Sequence, residues 1–298
     1  MQYFGELAAL STAICWSFGT ILFGYAGRRV GSFAINTIRI TLAALLLAAG
    51  NLLIEGQILP ASCDHHQLLI LAISGIIGLT IGDGCYFKSL VVLGPRISSL
   101  MSASSPIFAV IIAWIFVGQQ MSLLDLLGIA LTLVGISWVI LERSRNSFGA
   151  QSGPKALGYL LGICGSLAQA VALTMAKVGM GDNIPPLNAS FVRMVSATVA
   201  IWIIVVATGR LSRTRAALKD GKAMTAMSSA TIIGPFLGIW LSLLSVQYTK
   251  IGIASTLMAT TPLFIIPLVM VIHKERPSIR AICGTAAAVS GVAIIFLF

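Results

Sequence analysis

Long apolar segments separated by short polar joints follow one another along the chain. Each is about 20 residues long, which is the length that a helix needs to cross the hydrocarbon core of a bilayer. Because lipid offers the backbone no hydrogen-bond partners, only helices are expected at these lengths. The pattern predicts an all-α integral membrane protein with ten transmembrane helices, numbered here in chain order. The segments lie near residues 4–24, 33–54, 68–91, 97–117, 123–141, 157–178, 187–208, 224–247, 253–272 and 279–298.

The second half of the chain repeats the first. When Pro106 is set on Pro262, SSLMSASSPIF lies over ASTLMATTPLF, and the alignment continues in both directions. Each half holds five predicted helices. A duplicated unit with an odd number of spans inserts the second time upside down, so we expect two inverted five-helix repeats. They would cover residues 4–141 and 157–298, joined by a polar linker at 142–156.

A pair of glycines with G-x-x-x-G spacing recurs in the same register. Gly78 and Gly82 in predicted helix 3 correspond to Gly234 and Gly238 in predicted helix 8. Glycines at this spacing share one face of a helix and let neighbouring helices approach closely. The recurrence predicts a helix-packing seam in each half.

The composition agrees with lipid as the surrounding solvent. Only 9% of the residues are charged, against about 25% in a typical soluble domain. The net charge of +10 suits anionic lipid headgroups, and no basic cluster alternates with aromatics as in a nucleic-acid site. The sequence has no Walker loop, which argues against an ATP-driven pump. The histidines and cysteines do not form a metal-binding pattern, so no cofactor or metal is expected.

Two runs resemble the EamA-type domain of the drug/metabolite transporter superfamily. They are LVVLGPRISSLMSASSPIFAVIIAWIFVG, with LLGIALTLVGISWVIL after it, and the second copy that begins VQYTKIGIASTLMATTPLF. Trp16, Ser17 and Arg39 also resemble the family. The resemblance implies a ten-helix bundle whose central cavity is lined by helices 1, 3, 4, 6, 8 and 9. It also implies export or exchange of amino acids, metabolites, sugars or drugs.

The chain departs from the family pattern after helices 4 and 9, where a Gly-Glu pair is usual. The first copy reads Gly118-Gln119 and the second reads Lys274-Glu275. The resemblance therefore does not extend to a role for two symmetric glutamates.

Three charged residues fall inside predicted helices. Asp83 lies well inside helix 3, where a carboxylate must face protein or water. It is either a proton-coupling group or one half of a structural pair with Arg39 or Lys88. Arg39 and Arg193 occupy matching places in helices 2 and 7. Because arginine keeps its proton, each either anchors the helix at the membrane interface or binds a substrate carboxylate.

Pro106 and Pro262 are predicted to break helices 4 and 9, since proline cannot donate to the carbonyl four residues earlier. The breaks either only shape the packing or expose carbonyls and hydroxyls to a cavity. In the second interpretation, the hydroxyl residues beside the prolines are substrate ligands: Ser102, Ser105, Thr260 and Thr261.

Further candidates for the cavity wall are polar or aromatic residues at mid-membrane depth. Gln169 has donors and acceptors that need partners, and tryptophan is less expected there than at the interfaces. For any single aromatic residue, packing is the alternative explanation. The candidates are Trp16, Tyr86, Gln169 and Trp240.

Together these features predict a secondary transporter or facilitator for a small polar or amphipathic metabolite, such as an amino acid or a drug-like compound. Export is the favoured direction, and protons are the candidate coupling ion. A flippase for a lipid-linked group is the alternative. An enzyme is not expected, because Asp83 has no acid or histidine beside it in the predicted core. We expect membrane lipids and a small-molecule substrate as partners, no nucleic acid, a monomer or homodimer, and a place in the cytoplasmic (inner) membrane.

The basic residues are distributed unevenly between the polar joints, which are numbered from the N-terminus so that the central linker is the fifth. Of the 19 lysines and arginines, Lys177 and Lys250 fall in even-numbered joints, Arg39 and Arg193 lie within helices, and the others lie in or beside odd-numbered joints. The positive-inside rule then places the central linker in the cytoplasm and both termini outside. The resemblance implies the reverse, because many relatives keep both termini in the cytosol. Labelling of a cysteine at Asn146 by an impermeant reagent in intact cells would contradict the charge count.

Overall fold

The structure is a computed structural model that describes residues 3–59, 63–93, 95–142, 154–264 and 279–297. These residues form helices joined by short turns, with no strand in the described ranges. The first half contains α1 (Phe4–Val30), α2 (Ser32–Ile54), α3 (His65–Gly75), the π-helical segment π1 (Ile76–Gly82), α4 (Asp83–Leu93), α5 (Pro95–Ser102), α6 (Ser105–Val117) and α7 (Leu123–Glu142). The second half contains α8 (Lys155–Met180), α9 (Pro186–Ala207), α10 (Leu211–Leu218), α11 (Gly221–Thr231), π2 (Ile232–Gly238), α12 (Ile239–Tyr248), α13 (Ile251–Met258) and α14 (Ile279–Leu297).

Eight stretches of described helix are long and apolar enough to cross a membrane. Two shorter apolar helices, Ile251–Phe264 and Ile282–Leu297, flank residues outside the described ranges. Large apolar side chains such as Leu53 and Phe116 are 85% and 76% exposed, as expected of surfaces that face lipid. The chain is thus a multi-pass helical membrane protein, while the count of ten spans stays a prediction. The eight stretches are Phe4–Gly27, Phe33–Ile54, His65–Ser89, Leu100–Val117, Leu123–Leu141, Lys155–Met180, Pro186–Ala207 and Gly221–Tyr248.

Two π-helical segments interrupt predicted helices 3 and 8, where the apolar pattern predicts regular α-helix. Residue 76 corresponds to residue 232 and residue 82 to residue 238, in the same register that sets Pro106 on Pro262. Pro235 lies inside π2 and cannot donate a backbone N–H, whereas π1 contains no proline. Proline alone therefore does not explain why the two π segments occupy equivalent positions. Such widened turns are frequent at functional sites.

The glycines of the two π segments bring helices of opposite halves into close contact. A Cβ at Gly78 in π1 would lie 2.8 Å from the Cβ of Ala172 in α8. A Cβ at Gly238 in π2 would lie 3.1 Å from the Nε1 atom of Trp16 in α1. Each π segment therefore packs against the first helix of the other half, at the seams that the G-x-x-x-G spacing predicts.

The helices α7 and α14, which correspond in the repeat, pack against each other through glycines. A Cβ at Gly128 would lie 3.0 Å from the carbonyl oxygen of Gly291, and one at Gly135 would lie 2.6 Å from that of Gly284. The repeat register pairs Gly128 with Gly284 and Gly135 with Gly291. Gly128 thus contacts the counterpart of Gly135, and Gly135 contacts the counterpart of Gly128. This pairing requires α7 and α14 to run antiparallel.

The second helices of the two halves, α2 and α9, are antiparallel as well. Trp202 Nε1 donates to Thr41 Oγ1 over 3.0 Å near one end of the contact. Asn51 Nδ2 donates to the Leu187 carbonyl over 3.4 Å near the other end. Between these bonds the helices share an apolar core with little or no exposed surface. It includes Ile40, Ala43, Leu47, Met194, Ala197 and Ile201.

A short helix, α10, occupies the polar joint that precedes α11, where the sequence pattern predicts no helix. The joint is fixed by Asp220, the N-cap of α11, which accepts from the Ala223 N–H over 3.0 Å. Arg29 at the end of α1 donates to the same carboxylate over 2.8 Å. The Ala223 N–H and the Arg29 guanidinium hold the pKa of Asp220 below its ordinary value.

Gly135→Ala should destabilise the protein, because the new Cβ would meet backbone rather than a movable side chain. It would lie 2.4 Å from the Ala288 nitrogen, and overpacking of this kind costs about 1–3 kcal/mol. Gly221→Ala is the matched control, since no atom lies within 4 Å of its Cβ position. The thermal midpoints of the purified variants measure the difference. Equal midpoints would contradict the tight α7–α14 contact.

Candidate functional site

A buried ion pair joins α2 to the junction between π1 and α4. Arg39 Nη2 donates to the Oδ2 atom of Asp83, the first residue of α4. The Arg39 side chain is 3% exposed and that of Asp83 is 15% exposed. Removing two charges from water costs several kcal/mol per ion, and the pair is tolerated only when further hydrogen bonds complete it. The surroundings of the pair must therefore supply those bonds.

Neutral amides complete the hydrogen bonding on both sides of the pair. Gln169 of α8 donates from Nε2 to Asp83 Oδ1 over 2.7 Å and to the Gly78 carbonyl over 3.1 Å. Asn36, one turn before Arg39, accepts from Arg39 Nε over 2.9 Å and from Nη2 over 2.7 Å. Gln169 belongs to the second half of the chain, so the network links the two halves at π1.

Aromatic rings surround the Arg39 guanidinium. Its central carbon lies 5.9 Å from the ring centre of Trp16, 5.8 Å from that of Phe23 and 5.2 Å from that of Phe87. Rings at this range attract the cation through their quadrupoles. Arg39 is therefore enclosed by a carboxylate, an amide and three rings. Its 2% exposure does not fit an interfacial anchor.

Arg193 in α9 corresponds to Arg39 but has different surroundings. It is 4% exposed and lies close enough to Asp83 for an electrostatic interaction. Its Nη2 atom is 3.4 Å from the Cβ position of Gly78, beside Gln169. Its Nε atom is buried without a hydrogen-bond partner. Both arginines are thus buried, but of the two only Arg39 has hydrogen-bond partners for its guanidinium within the described part of the chain.

The two proline positions are breaks between helices. In the first half, α5 ends at Ser102 and α6 begins at Ser105, with Pro106 in its first turn, where a missing N–H costs nothing. Ser104 Oγ donates to the Met101 carbonyl at this break over 2.6 Å. The single predicted helix over 97–117 is therefore two helices.

In the second half, α13 ends at Met258 and helical structure resumes at residues 261–264. Thr261 Oγ1 donates to the Met258 carbonyl over 2.8 Å, and Thr260 Oγ1 donates to the Leu257 carbonyl over 2.6 Å. Met258 carries the carbonyl that Pro262 leaves without its helical partner. The threonine hydroxyls thus satisfy the broken backbone from within, and their oxygens can still accept a hydrogen bond.

Serines from the first helix of the opposite half hold each break in place. Ser166 of α8 donates to the Met101 carbonyl over 2.6 Å. Ser17 of α1 donates to the Thr261 carbonyl over 3.1 Å. The breaks and the π segments therefore pack against the same two helices, α1 and α8.

The remaining candidates lie around this assembly. The ring of Tyr86 lies 5.7 Å from that of Phe87, which contacts Arg39. Trp240 packs on the α2–α9 core. Ser102 is exposed at the end of α5, and Ser105 is half-buried. The structure thus brings together Trp16, Arg39, Asp83, Gln169 and Arg193 among the predicted residues.

Sequence reasoning missed three members of the network: Asn36, Phe23 and Phe87. Asn36 could have been found, because it is a polar residue in an apolar helix three positions before Arg39 and therefore shares its face. The two phenylalanines carry no comparable signal, since each is one apolar residue among many in a predominantly apolar segment.

A second polar group lines a cavity of about 480 Å³ near the start of α1 and the end of α12. Lys250 Nζ lies 2.5 Å from Asp125 Oδ2, and Gln119 Oε1 accepts from the Ile251 N–H over 3.0 Å. These two contacts tie α7 and the joint before it to α13. Lys177, which donates to the Thr249 carbonyl over 2.9 Å, borders the same cavity. The two basic residues of the even-numbered joints therefore meet at one end of the bundle.

Charged groups inside a helical membrane bundle and broken helices within its spans are features found in transporters. The model of the EamA-like transporter family matches residues 3–141 and 156–297, and the chain belongs to this family. Members of the family are transporters, so the protein moves a small molecule across a membrane. At the two places where the family usually has a Gly-Glu pair, Gln119 accepts from the Ile251 N–H, whereas Lys274 and Glu275 lie outside the described residues.

Two comparisons extend over nearly the whole chain. An uncharacterised transporter from Archaeoglobus fulgidus is 22% identical over 294 residues, which is 98% of this chain and 97% of the relative. A solved crystal structure with 18% identity superposes with a TM-score of 0.77 and covers 99% of this chain and 97% of that chain. At this identity the structural likeness shows the fold.

Removing one partner of the ion pair should be far more harmful than removing both charges. Arg39→Gln removes the ion-pair partner of the buried Asp83 carboxylate, and breaking a buried pair in this way costs about 3–5 kcal/mol. The double variant with Asp83→Asn leaves two neutral amides and should recover much of that loss. Unfolding free energies from detergent titration measure this coupling.

The matched control is Arg29→Gln, which removes the exposed partner of Asp220 and should change stability little. Strictly additive losses in the Arg39 and Asp83 variants would contradict a coupled buried pair.

Proposed function

We propose that the protein is a secondary transporter that exports a small polar or amphipathic metabolite, an amino acid or a drug-like compound, across the cytoplasmic (inner) membrane. The observation that carries this proposal is the Arg39–Asp83–Gln169 network. It is polar and charged, it lies inside an apolar bundle, and it joins the two halves at a π-helical turn. Charged groups in such a position are costly and mark substrate or ion pathways.

The proposal includes two inverted five-helix repeats with ten spans. Its support is the antiparallel contact between equivalent helices, α7 with α14 and α2 with α9. Two equivalent helices that are antiparallel where they meet are related by a two-fold axis perpendicular to both. For helices that cross a membrane, this axis lies in the membrane plane. Substrate sites of such folds lie between the repeats, where Gln169 contacts Asp83.

The geometry suggests how the network takes part in transport. Asp83 is the single acid of the network within the described residues, and its two oxygens accept from Arg39 and Gln169. A substrate donor or a proton that takes one of these oxygens weakens the link between the two halves. The halves can then move relative to each other around the site, as alternating access requires. This makes protons the proposed coupling ion and Asp83 the coupling residue.

The test is flux in proteoliposomes that contain the purified protein. We expect saturable transport of labelled amino acids that depends on a pH gradient. Asp83→Asn cannot change its protonation, so it should abolish the dependence on the gradient even where some flux remains. Asp220→Asn, which alters an acid outside the spans, is the control and should behave as the unaltered protein does.

Unchanged flux with an unchanged response to the gradient in Asp83→Asn would reject Asp83 as the coupling residue. Movement of a fluorescent lipid analogue, without movement of any soluble metabolite, would reject the carrier and favour the flippase alternative.

A further inference from the structure

Arg193 is a buried charge whose hydrogen-bond donors are not used. Its exposed fraction is 4%, and its Nε atom is fully buried with no hydrogen-bond partner. The nearby carboxylate of Asp83 is taken by Arg39 and Gln169. In the described part of the chain, no hydrogen bond satisfies this guanidinium, which carries five N–H donors.

The comparison with Arg39 shows what Arg193 lacks. Arg39 has an amide acceptor one turn earlier, at Asn36, and an acid, Asp83, in the third helix of its half. At the matching places in the second half, Ser190 directs its hydroxyl to the Pro186 carbonyl and Ile239 replaces the acid. The second half therefore has the arginine but neither of the two acceptors that Arg39 uses.

An unpaired buried guanidinium is expensive to keep. Leaving a buried charged group without a partner costs several kcal/mol, and surrounding lipid offers no relief. A hydrogen-bond acceptor on the transported molecule would offset this cost while that molecule is bound. Arginine binds planar and tetrahedral oxyanions through two parallel N–H···O bonds.

We propose that Arg193 binds the anionic group of the transported molecule, so that the substrate class is a small metabolite with a carboxylate or phosphate group. The inference rests on the transporter function proposed above and adds the chemistry of its substrate. Gln169 completes the site, because its Oε1 atom and Arg193 Nη2 lie 3.6 Å and 3.4 Å from the same Cβ position of Gly78. The Nε2 atom of Gln169 is already committed to Asp83 and to the Gly78 carbonyl. Its Oε1 atom can therefore accept an N–H or O–H that lies beside the substrate anion.

The first test needs no ligand. If Arg193 waits for an anion, Arg193→Met should stabilise the empty protein, because the variant removes an unpaired charge and keeps an apolar stem. We expect the thermal midpoint of the purified, ligand-free protein to rise by about 2–4 °C. Arg39→Met is the matched variant and should lower the midpoint, since it strands Asp83. A fall of similar size in both variants would overturn the inference, because Arg193 would then be structural.

The second test uses the flux assay with L-phenylalanine, phenylalaninamide and phenyl phosphate as probes. Arg193→Met and Arg193→Lys should both reduce transport of an anionic probe at least tenfold, since lysine keeps the charge but lacks the two-pronged geometry. Transport of phenylalaninamide should not depend on Arg193. A fluorescent phosphatidylglycerol analogue distinguishes a lipid phosphate from a soluble anion.

The two proposals can fail separately. If the unaltered protein transports an anionic probe and Arg193→Met transports it equally well, the inference is wrong and the transporter function stands. If no soluble probe or lipid analogue moves, the proposed function fails, and the midpoints of the two methionine variants still decide whether Arg193 is an unpaired charge.

Discussion

The ion pair between Arg39 and Asp83 is the constraint on which the rest of the arrangement depends. Neither charge can be sealed inside an apolar bundle alone, and the pair itself needs partners for its remaining donors and acceptors. Asn36 and Gln169 provide these partners. Gln169 reaches Asp83 from the other half because π1 lets α8 approach closely at Gly78. The electrostatics of one pair thus fixes where the two halves must touch.

The two halves share the same backbone features, but their charged residues differ. Both halves have a π segment, a helix break near a proline and a buried arginine at corresponding positions. Asp83 is present in one half, whereas Ile239 takes its place in the other. One acid therefore faces two arginines, and the excess positive charge suits a site that accepts an anion. A repeat with an acid in both halves would be neutral and would have less reason to bind one.

The polar residues of the candidate site could be predicted from the sequence more fully than the helix geometry that positions them. Arg39, Asp83 and Gln169 could be found because polar groups inside apolar helices must have partners. The π segments could not be predicted, because their apolar pattern is the same as that of a regular helix. The helix break at Pro106 was predicted, but a proline alone does not reveal that the Ser104 hydroxyl donates to the Met101 carbonyl at the broken turn. The aromatic wall around Arg39 was missed for a related reason, because Phe87 is one apolar residue among many.

The central claim is that the transported molecule passes the Arg39–Asp83 network. Phe87 lies beside this network and is half-buried, so a cysteine at its position reports directly on access. The measurement is reaction of Phe87→Cys with a small hydrophilic methanethiosulfonate reagent in proteoliposomes, in a variant whose five native cysteines are replaced by alanine. We predict that the folded protein reacts and that the reaction abolishes flux. Reaction only after denaturation, in a variant that transports normally, would contradict the claim.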